Sequence, residues 1–363
     1  MVQIHRPFIL DPGSATSGHI EAGPVDVLHV VTVSDGVPTD RVVYSSDQYR
    51  QLLAAGKGFA VEIDGVKADG SDTLAVVDLA TGASRSLGSM SSLGIDDSGR
   101  IGGVVSPDGS RVAIGSNHKI VLIPLASGPQ SLLLGPGDSG TWFIPLRWTS
   151  TGILVGEVGY EGPGYGRLIR VDPANGNQTV VSQAPNTQLV VSPQGQWLAT
   201  TKYVDLGDGP SIQFAWQNTL NLTPVPGASS RIVSEKDRWF VPLDVSDDGE
   251  LLFSSDTQTD SAVAPDMGIH LAANGRVVQQ LSESSRGEYG AAFYGAARLV
   301  DPTTALIARM RGGFDAESSL DVELVHMCLA TSSGCRVTTT TVSSTPGSYD
   351  TSTHAFMIAP GTN

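Results

Sequence analysis

Val105-Ser106-Pro107-Asp108-Gly109-Ser110-Arg111-Val112-Ala113 and, soon after it, Ile120-Val121-Leu122-Ile123-Pro124-Leu125-Ala126-Ser127-Gly128 decide the fold. Each half joins a short apolar run to a turn that contains glycine. In Ser-Pro-Asp-Gly the proline presets φ, the aspartate bonds to local backbone, and the glycine accepts a positive φ. The flanking runs are four to six residues long and rich in β-favouring types, which reads as strand.

Both turns recur along the chain. The first reappears as Thr149-Ser150-Thr151-Gly152, Ser192-Pro193-Gln194-Gly195, Ser246-Asp247-Asp248-Gly249 and Asp301-Pro302-Thr303-Thr304, and more weakly as Ser45-Ser46-Asp47-Gln48. From the first residue of each, the steps are 61, 43, 43, 54 and 55. The second turn ends in Gly82, Gly128, Gly176, Gly227, Gly275 and Gly334. Gln48 to Ala55, the one stretch with helical character, is read as a degenerate strand. Four strands per unit and six units of this length predict an all-β, six-bladed β-propeller.

On these residues the chain resembles the TolB-like, WD40-like propellers. The resemblance covers roughly residues 40–343 and is closest in repeats two, four and five. It implies a fold and no single reaction, because such propellers serve as scaffolds, binding modules and enzymes. The first and last repeats depart from the pattern, so seven blades also fit. Residues 1–23 read as an N-terminal arm and 24–363 as one propeller domain. Val25 to Val33 and His354 to Ile358 lie outside the six units, and at least one is expected to close the ring by completing a blade from the other end of the chain. The alternative is that they pack along an edge.

The 363 residues are 40% hydrophobic and 16% charged, enough apolar content for a sizeable core. A net charge of −15 argues against nucleic acid and anionic membrane as partners. No apolar run approaches the ~18 residues of a membrane span. The opening residues lack a signal-peptide pattern, so an export signal is expected to be absent or already removed.

In a propeller the first strand of each blade lines the channel. Both repeated turns then fall on one face, the bottom, and the loops between second and third strands fall on the other, the top. Function gravitates to loops on a rigid scaffold, so the top face is the expected site. Its loops carry twelve carboxylates, Asp64, Asp72, Glu157, Asp205, Asp208, Asp256 and Asp260 among them, against Lys67 and Arg311. Clustered carboxylates suit calcium, for which Asp205, Asp208, Asp256 and Asp260 are the weak candidates; equally, exposed turns are simply made of Gly and Asp. No cofactor is otherwise expected.

Trp142-Phe143-Ile144-Pro145-Leu146 repeats as Trp239-Phe240-Val241-Pro242-Leu243, each at the start of an innermost strand. With Tyr289, the two tryptophans would ring the channel mouth beside Arg238 and Glu288. Such a site suits a sugar or a quaternary cation, whereas a structural role would wedge the rings between blades. Tyr160 and Tyr165, in a glycine-rich segment, read as exposed residues of a flap. No Gly-x-Ser-x-Gly, His-Glu-x-x-His, P-loop or Cys-x-x-Cys occurs. An enzyme would need groups from several blades, with His118, Arg238, Glu288 and Tyr289 the candidates and a glycan lyase or hydrolase the expected class. Cys328 and Cys335 flank the last glycine-closed turn, where a hairpin centred on Thr331-Ser332 would oppose them at disulfide distance. That pairing favours a secreted or periplasmic location. The leading expectation is a monomeric, extracytoplasmic propeller that binds a small molecule, a glycan or a protein through its top face without catalysis. A catalytic propeller and an inert scaffold are the alternatives.

Overall fold

Every element of the chain that the computed structural model describes is a strand. The described residues are 2–5, 26–34, 37–46, 50–56, 58–64, 72–95, 101–135, 141–159, 165–205, 214–227, 230–234, 238–257, 266–271, 276–281, 292–301, 304–312, 319–328 and 338–346. Among them, no helix is long and apolar enough to cross a membrane.

The chain opens with a three-stranded sheet of β1 (Val2–His5), β2 (Asp26–Ser34) and β3 (Val37–Ser46). A four-stranded antiparallel unit follows: β4 (Arg50–Gly56), β5 (Phe59–Asp64), β6 (Thr73–Asp78) and β7 (Ser84–Ser89). The second unit is β8 (Gly102–Val105), β9 (Arg111–Ser116), β10 (Lys119–Pro124) and β11 (Ser131–Leu134). The third is β12 (Thr141–Thr149), β13 (Gly152–Gly159), β14 (Tyr165–Val171) and β15 (Gln178–Val191). Strand β15 also begins the fourth unit, continued by β16 (Trp197–Asp205), β17 (Phe214–Pro224) and β18 (Ser230–Ser234), so that Thr187 pairs with both Tyr165 and Lys202. The fifth is β19 (Arg238–Val245), β20 (Leu251–Thr257), β21 (Asp266–Leu271) and β22 (Arg276–Leu281). The sixth is β23 (Ala292–Asp301), β24 (Thr304–Gly312), β25 (Ser319–Cys328) and β26 (Thr338–Pro346). The first strands of the six units approach one another in chain order, as channel-lining strands of a propeller do.

Local chemistry explains the recurring turn. Ser106 Oγ accepts hydrogen bonds from the amides of Ser110 and Arg111 at 3.1 and 3.0 Å. Ser192 Oγ does the same for Gln196 and Trp197, and Ser246 Oγ for Glu250. The leading serine thus ties the far side of the turn, and Gly109, Gly195 and Gly249 take φ between +72° and +82°. Asp108 accepts from the Ser106 hydroxyl at 2.5 Å and from the Ser110 amide and hydroxyl. These bonds, the Ser106 hydroxyl first, hold its carboxyl well below the usual carboxylate range.

Between units the strands bury apolar faces. Leu53, Val61, Ile63 and Leu74 of the first pack with Val112, Ile114, Val121 and Ile123 of the second. Ala113, Ile120 and Leu122 pack in turn with Ile153, Val155 and Ile169 of the third. The sheet of the second unit therefore hides both faces, which is why its runs are apolar without strict alternation.

Two expectations change, the inner turn of the first unit and the closing role of the strand at 25–33. The first unit makes its inner turn between Gly56 and Phe59, with Gly58 at φ +83°, whereas Ser45 and Ser46 end β3. The residues read as a degenerate strand are β4 itself. Asp26–Ser34 does not join the last unit, because both of its edges are taken, by β1 and by β3. The expected arm over 1–23 contributes β1 to that sheet. Leu28 and the half-buried Val43 and Tyr44 then pack on Leu52, Ala60 and Val77, so the N-terminal sheet stacks on the first unit as another blade would. Residues 354–358 lie outside the described residues.

Candidate functional site

The described part of the top face centres on the turn between β9 and β10. Lys119 pairs with Ser116, so the turn is only Asn117-His118, and His118 is held at φ +64°. A positive φ is uncommon for histidine, which lacks the freedom of glycine. What holds it there is the third unit: the His118 amide donates to the Thr141 carbonyl at 2.9 Å, and Asn117 bridges to Trp142. Two residues singled out in the sequence, His118 and Trp142, are thereby brought together across two blades.

Among the described residues, Ser116 Oγ at the end of β9 and Asn117 Oδ1 and His118 Nδ1 in the turn are buried without a hydrogen-bond partner. Ser116 is 1% exposed. Leaving such a group unpaired costs roughly 1–3 kcal/mol, so water or another polar group is expected to meet them. Gly115, just before them, lies so close to β12 that a Cβ would sit 1.9 Å from the Phe143 carbonyl oxygen. Glycine here lets the turn seat against Trp142.

The top-loop acids behave differently from expectation where they are described. Glu157 is buried and its carboxylate is gripped by the Arg167 fork on the neighbouring strand, with Nη2 to Oε1 at 2.6 Å. Asp64 Oδ1 lies 3.4 Å from Arg50 Nε, and Asp72 is 1% exposed. Counting loop residues alone missed these strand arginines, which neutralise the acids from beneath. Among the described residues, no three His, Cys, Asp or Glu side chains gather as a metal would need. Arg50 also stacks on the Tyr44 ring at 4.6 Å, and the Tyr44 hydroxyl donates to the fully buried Glu62 at 2.8 Å, pinning the N-terminal sheet to the first unit.

The other candidates fall as follows. Tyr165 is half-buried between the third and fourth units, its ring lying over Gly156, so it packs instead of standing out on a flap. Arg238 and Trp239 begin β19 and pair in register with Thr257 and Asp256. Asp205 ends β16 opposite Phe214, and Cys328 ends β25 opposite Thr304. Tyr160, Asp208, Asp260, Glu288, Tyr289 and Cys335 lie outside the described residues.

A second polar group, unforeseen in the sequence, sits toward the bottom ends of the inner strands. Arg147 Nη2 lies 3.4 Å from Asp244 Oδ1, and Arg147 Nε donates to the Val191 carbonyl at 3.3 Å. Asp244 Oδ2 accepts the Leu299 amide at 2.8 Å. Strands β12, β15, β19 and β23 are joined through these bonds. Burial pushes the Asp244 carboxyl up, while Arg147 pulls against it. Burial likewise lowers the Arg298 guanidinium, helped by Arg147 and opposed by Asp244.

The signal for this group lay in the repeated aromatic segment, one residue further on than its quoted end. Pro145 and Pro242 lack an amide to give, and after each the ladder slips: Pro145 pairs with Val155 and Arg147 with Leu154, and Pro242 pairs with Phe253 and Asp244 with Leu252. Such a bulge re-aims the next side chain. In β23 Arg298 stands opposite Leu306, between bulges at Tyr294/Ala296 and Leu299/Asp301. Trp142 and Arg147 are five residues apart, at most about 17 Å along the strand, so top and bottom groups are separate.

No family model matches the chain, and no curated protein sequence matches it. Among solved structures it is similar to an oligogalacturonate lyase in complex with manganese, at 15% identity and a TM-score of 0.53, over 81% of each chain. It is also similar to putative TolB from Agrobacterium tumefaciens, at 15% identity and TM-score 0.40, over 66% of this chain and 83% of that one. A third is the β-propeller domain of the Trilobed protease from Pyrococcus furiosus, at 11% identity and TM-score 0.44, over 81% and 97%. By its sheets, their register and the likeness at TM-score 0.53, the chain has a β-propeller fold.

Proposed function

We propose that this propeller is a binding module that takes a polar ligand, a glycan or a protein segment on its top face, at the crevice between the Asn117-His118 turn and Trp142. The row of three buried, unpartnered polar atoms in a strained turn carries this reading. Strain and unmet hydrogen bonds persist where a site is being kept ready. Trp142 beside them offers an aromatic face on which a sugar ring packs. The reading extends to an extracytoplasmic location, supported by the short sequence spacing of Cys328 and Cys335 and by the absence from the sequence of further cysteines. Calcium plays no part in it, since Glu157 and Asp64 of this face have arginine partners and Asp72 is buried.

The test is a thermal-shift screen of the full chain with oligosaccharides, short peptides, calcium and EDTA. A saturable rise with one ligand class, lost in His118→Ala and Trp142→Ala, is the expected result. A rise that both variants retain, or none with any class, overturns the placement. Product formation from the binding glycan would replace a binding module with an enzyme.

A further inference from the structure

We propose that β1, β2 and β3 are the outer three strands of a seventh blade, and that its inner edge takes up residues 354–358 of this same chain as the fourth. The place of β3 is the first reason. Arg85 of β7, the outermost strand of the first unit, donates from Nη2 to the Leu125 carbonyl, at the second turn of the next unit. Arg41 of β3 donates in the same way to the Leu79 carbonyl, at the corresponding turn of the first unit. The glycines that close such turns agree. A Cβ on Gly176 would run into the carbonyl oxygen of Leu133 in the outermost strand β11, and a Cβ on Gly82 into that of Val43 in β3. Apolar packing follows suit: Leu28 of β2 and Val43 of β3 pack on Ala60 and Val77, as Ile120 of β10 and Leu134 of β11 pack with Ile153 and Ile169. With β3 outermost, β2 is the third strand of its blade and β1 the second. The position of the channel-lining strand is then the far edge of β1, where the sheet ends among the described residues.

An edge left open there would present a row of backbone donors and acceptors to any strand that reached it. The course of the chain names the strand. The sixth unit ends on its outermost strand at Pro346. Earlier links from an outermost strand to the next unit's first strand are 47–49, 90–101, 135–140, 235–237 and 282–291, and 347–353 falls within their range of lengths. The run that follows, His-Ala-Phe-Met-Ile at 354–358, has strand length and no Asp, Glu, Lys or Arg, like the inner strand Gly-Gly-Val-Val at 102–105. The test is hydrogen exchange of the full chain, read by mass spectrometry. Residues 2–5 and 354–358 should both be protected and should lose protection at one urea concentration. Phe356→Pro with Met357→Pro removes two successive amides, one of which must point at β1, and should speed exchange at 2–5 at least about tenfold while 178–191 stays unchanged. Gln3→Pro with Ile4→Pro should act likewise on 354–358. If one double variant fails to fold the other decides, and if both fail the wild-type urea transitions decide. Fast exchange of 354–358 in the wild type, separate urea transitions, or prolines that act only within their own strand overturn the proposal. So does protection of 2–5 that falls on dilution, which would place a second copy's strand at this edge.

Discussion

Gly115→Ala tests how the top-face turn is seated. The added Cβ would lie 1.9 Å from the Phe143 carbonyl oxygen, 2.4 Å from Pro145 Cδ and 2.9 Å from the Phe143 carbonyl carbon. Ordinary contact begins at 3.4 Å, so the shortfall against Phe143 is 1.5 Å. Two of these three atoms are backbone and the third is a proline ring, so no side chain can swing away. Strands β9 and β12 must part, and with them the buried contacts of Ala113 and Ile120 with Phe143 and Ile153. Overpacking typically costs 1–3 kcal/mol, and an unyielding neighbour places this case at about 3 kcal/mol or above. Urea unfolding reads the loss as a lower midpoint at unchanged slope. Gly159→Ala, where a Cβ meets nothing within 4 Å, is the control and should change stability little. The parting also carries the Asn117-His118 turn away from Trp142, so any top-face ligand should be lost in Gly115→Ala. A midpoint equal to that of the control would refute the close approach and, with it, the account of why His118 is strained.

Asp244→Ala orphans the Leu299 amide and leaves Arg147 without its carboxylate, which should lower stability by about 2–3 kcal/mol in urea unfolding, with Asp244→Asn milder because it still accepts that amide. Asp108 has a folded pKa below its unfolded value, so its stabilisation is present above the ordinary carboxylate range and is lost as pH falls through the folded value. The midpoint gap between wild type and Asp108→Ala should therefore shrink as pH drops from about 5 toward 2, and a constant gap would place the role of Asp108 elsewhere. A disulfide between Cys328 and Cys335, expected from their spacing, would leave no thiol reactive in denaturant until reductant is added; labelling of both cysteines without reductant would remove the argument for an oxidising compartment.

Much of the architecture was legible because the turns are chemically explicit. Ser106, Ser192 and Ser246 cap amides four residues on, and the glycines that follow take the left-handed conformation, so residue type and structure correspond one to one. The first unit was misplaced for the opposite reason: its inner turn is too short to hold a Ser-Pro-Asp-Gly signal, and Ser45-Ser46 resembled one. His118 and Trp142 were found from position along the repeat, yet their meeting depends on a contact between units that no local pattern encodes. The acids of the top loops looked unopposed because Arg50 and Arg167 are adjacent only across a ladder.

The bottom group shows why repeats reveal a fold sooner than a site. What recurs from blade to blade is what every blade needs: a capped turn, an apolar face, a proline that starts a bulge. Where blades must differ, the repeat is silent. Opposite Leu154, Leu252 and Leu306, near the inner turns, the residues are Arg147, Asp244 and Arg298. Two charges of one sign and one of the other, aimed by similar backbone at a shared axis, do nothing for a single blade, and desolvating them costs each of them. Much of their cost is met by partners on other blades, as with Arg147 on Val191 and Asp244 on Leu299. A residue that burdens its own repeat and is satisfied only across the ring is therefore the place to look for function in such a chain.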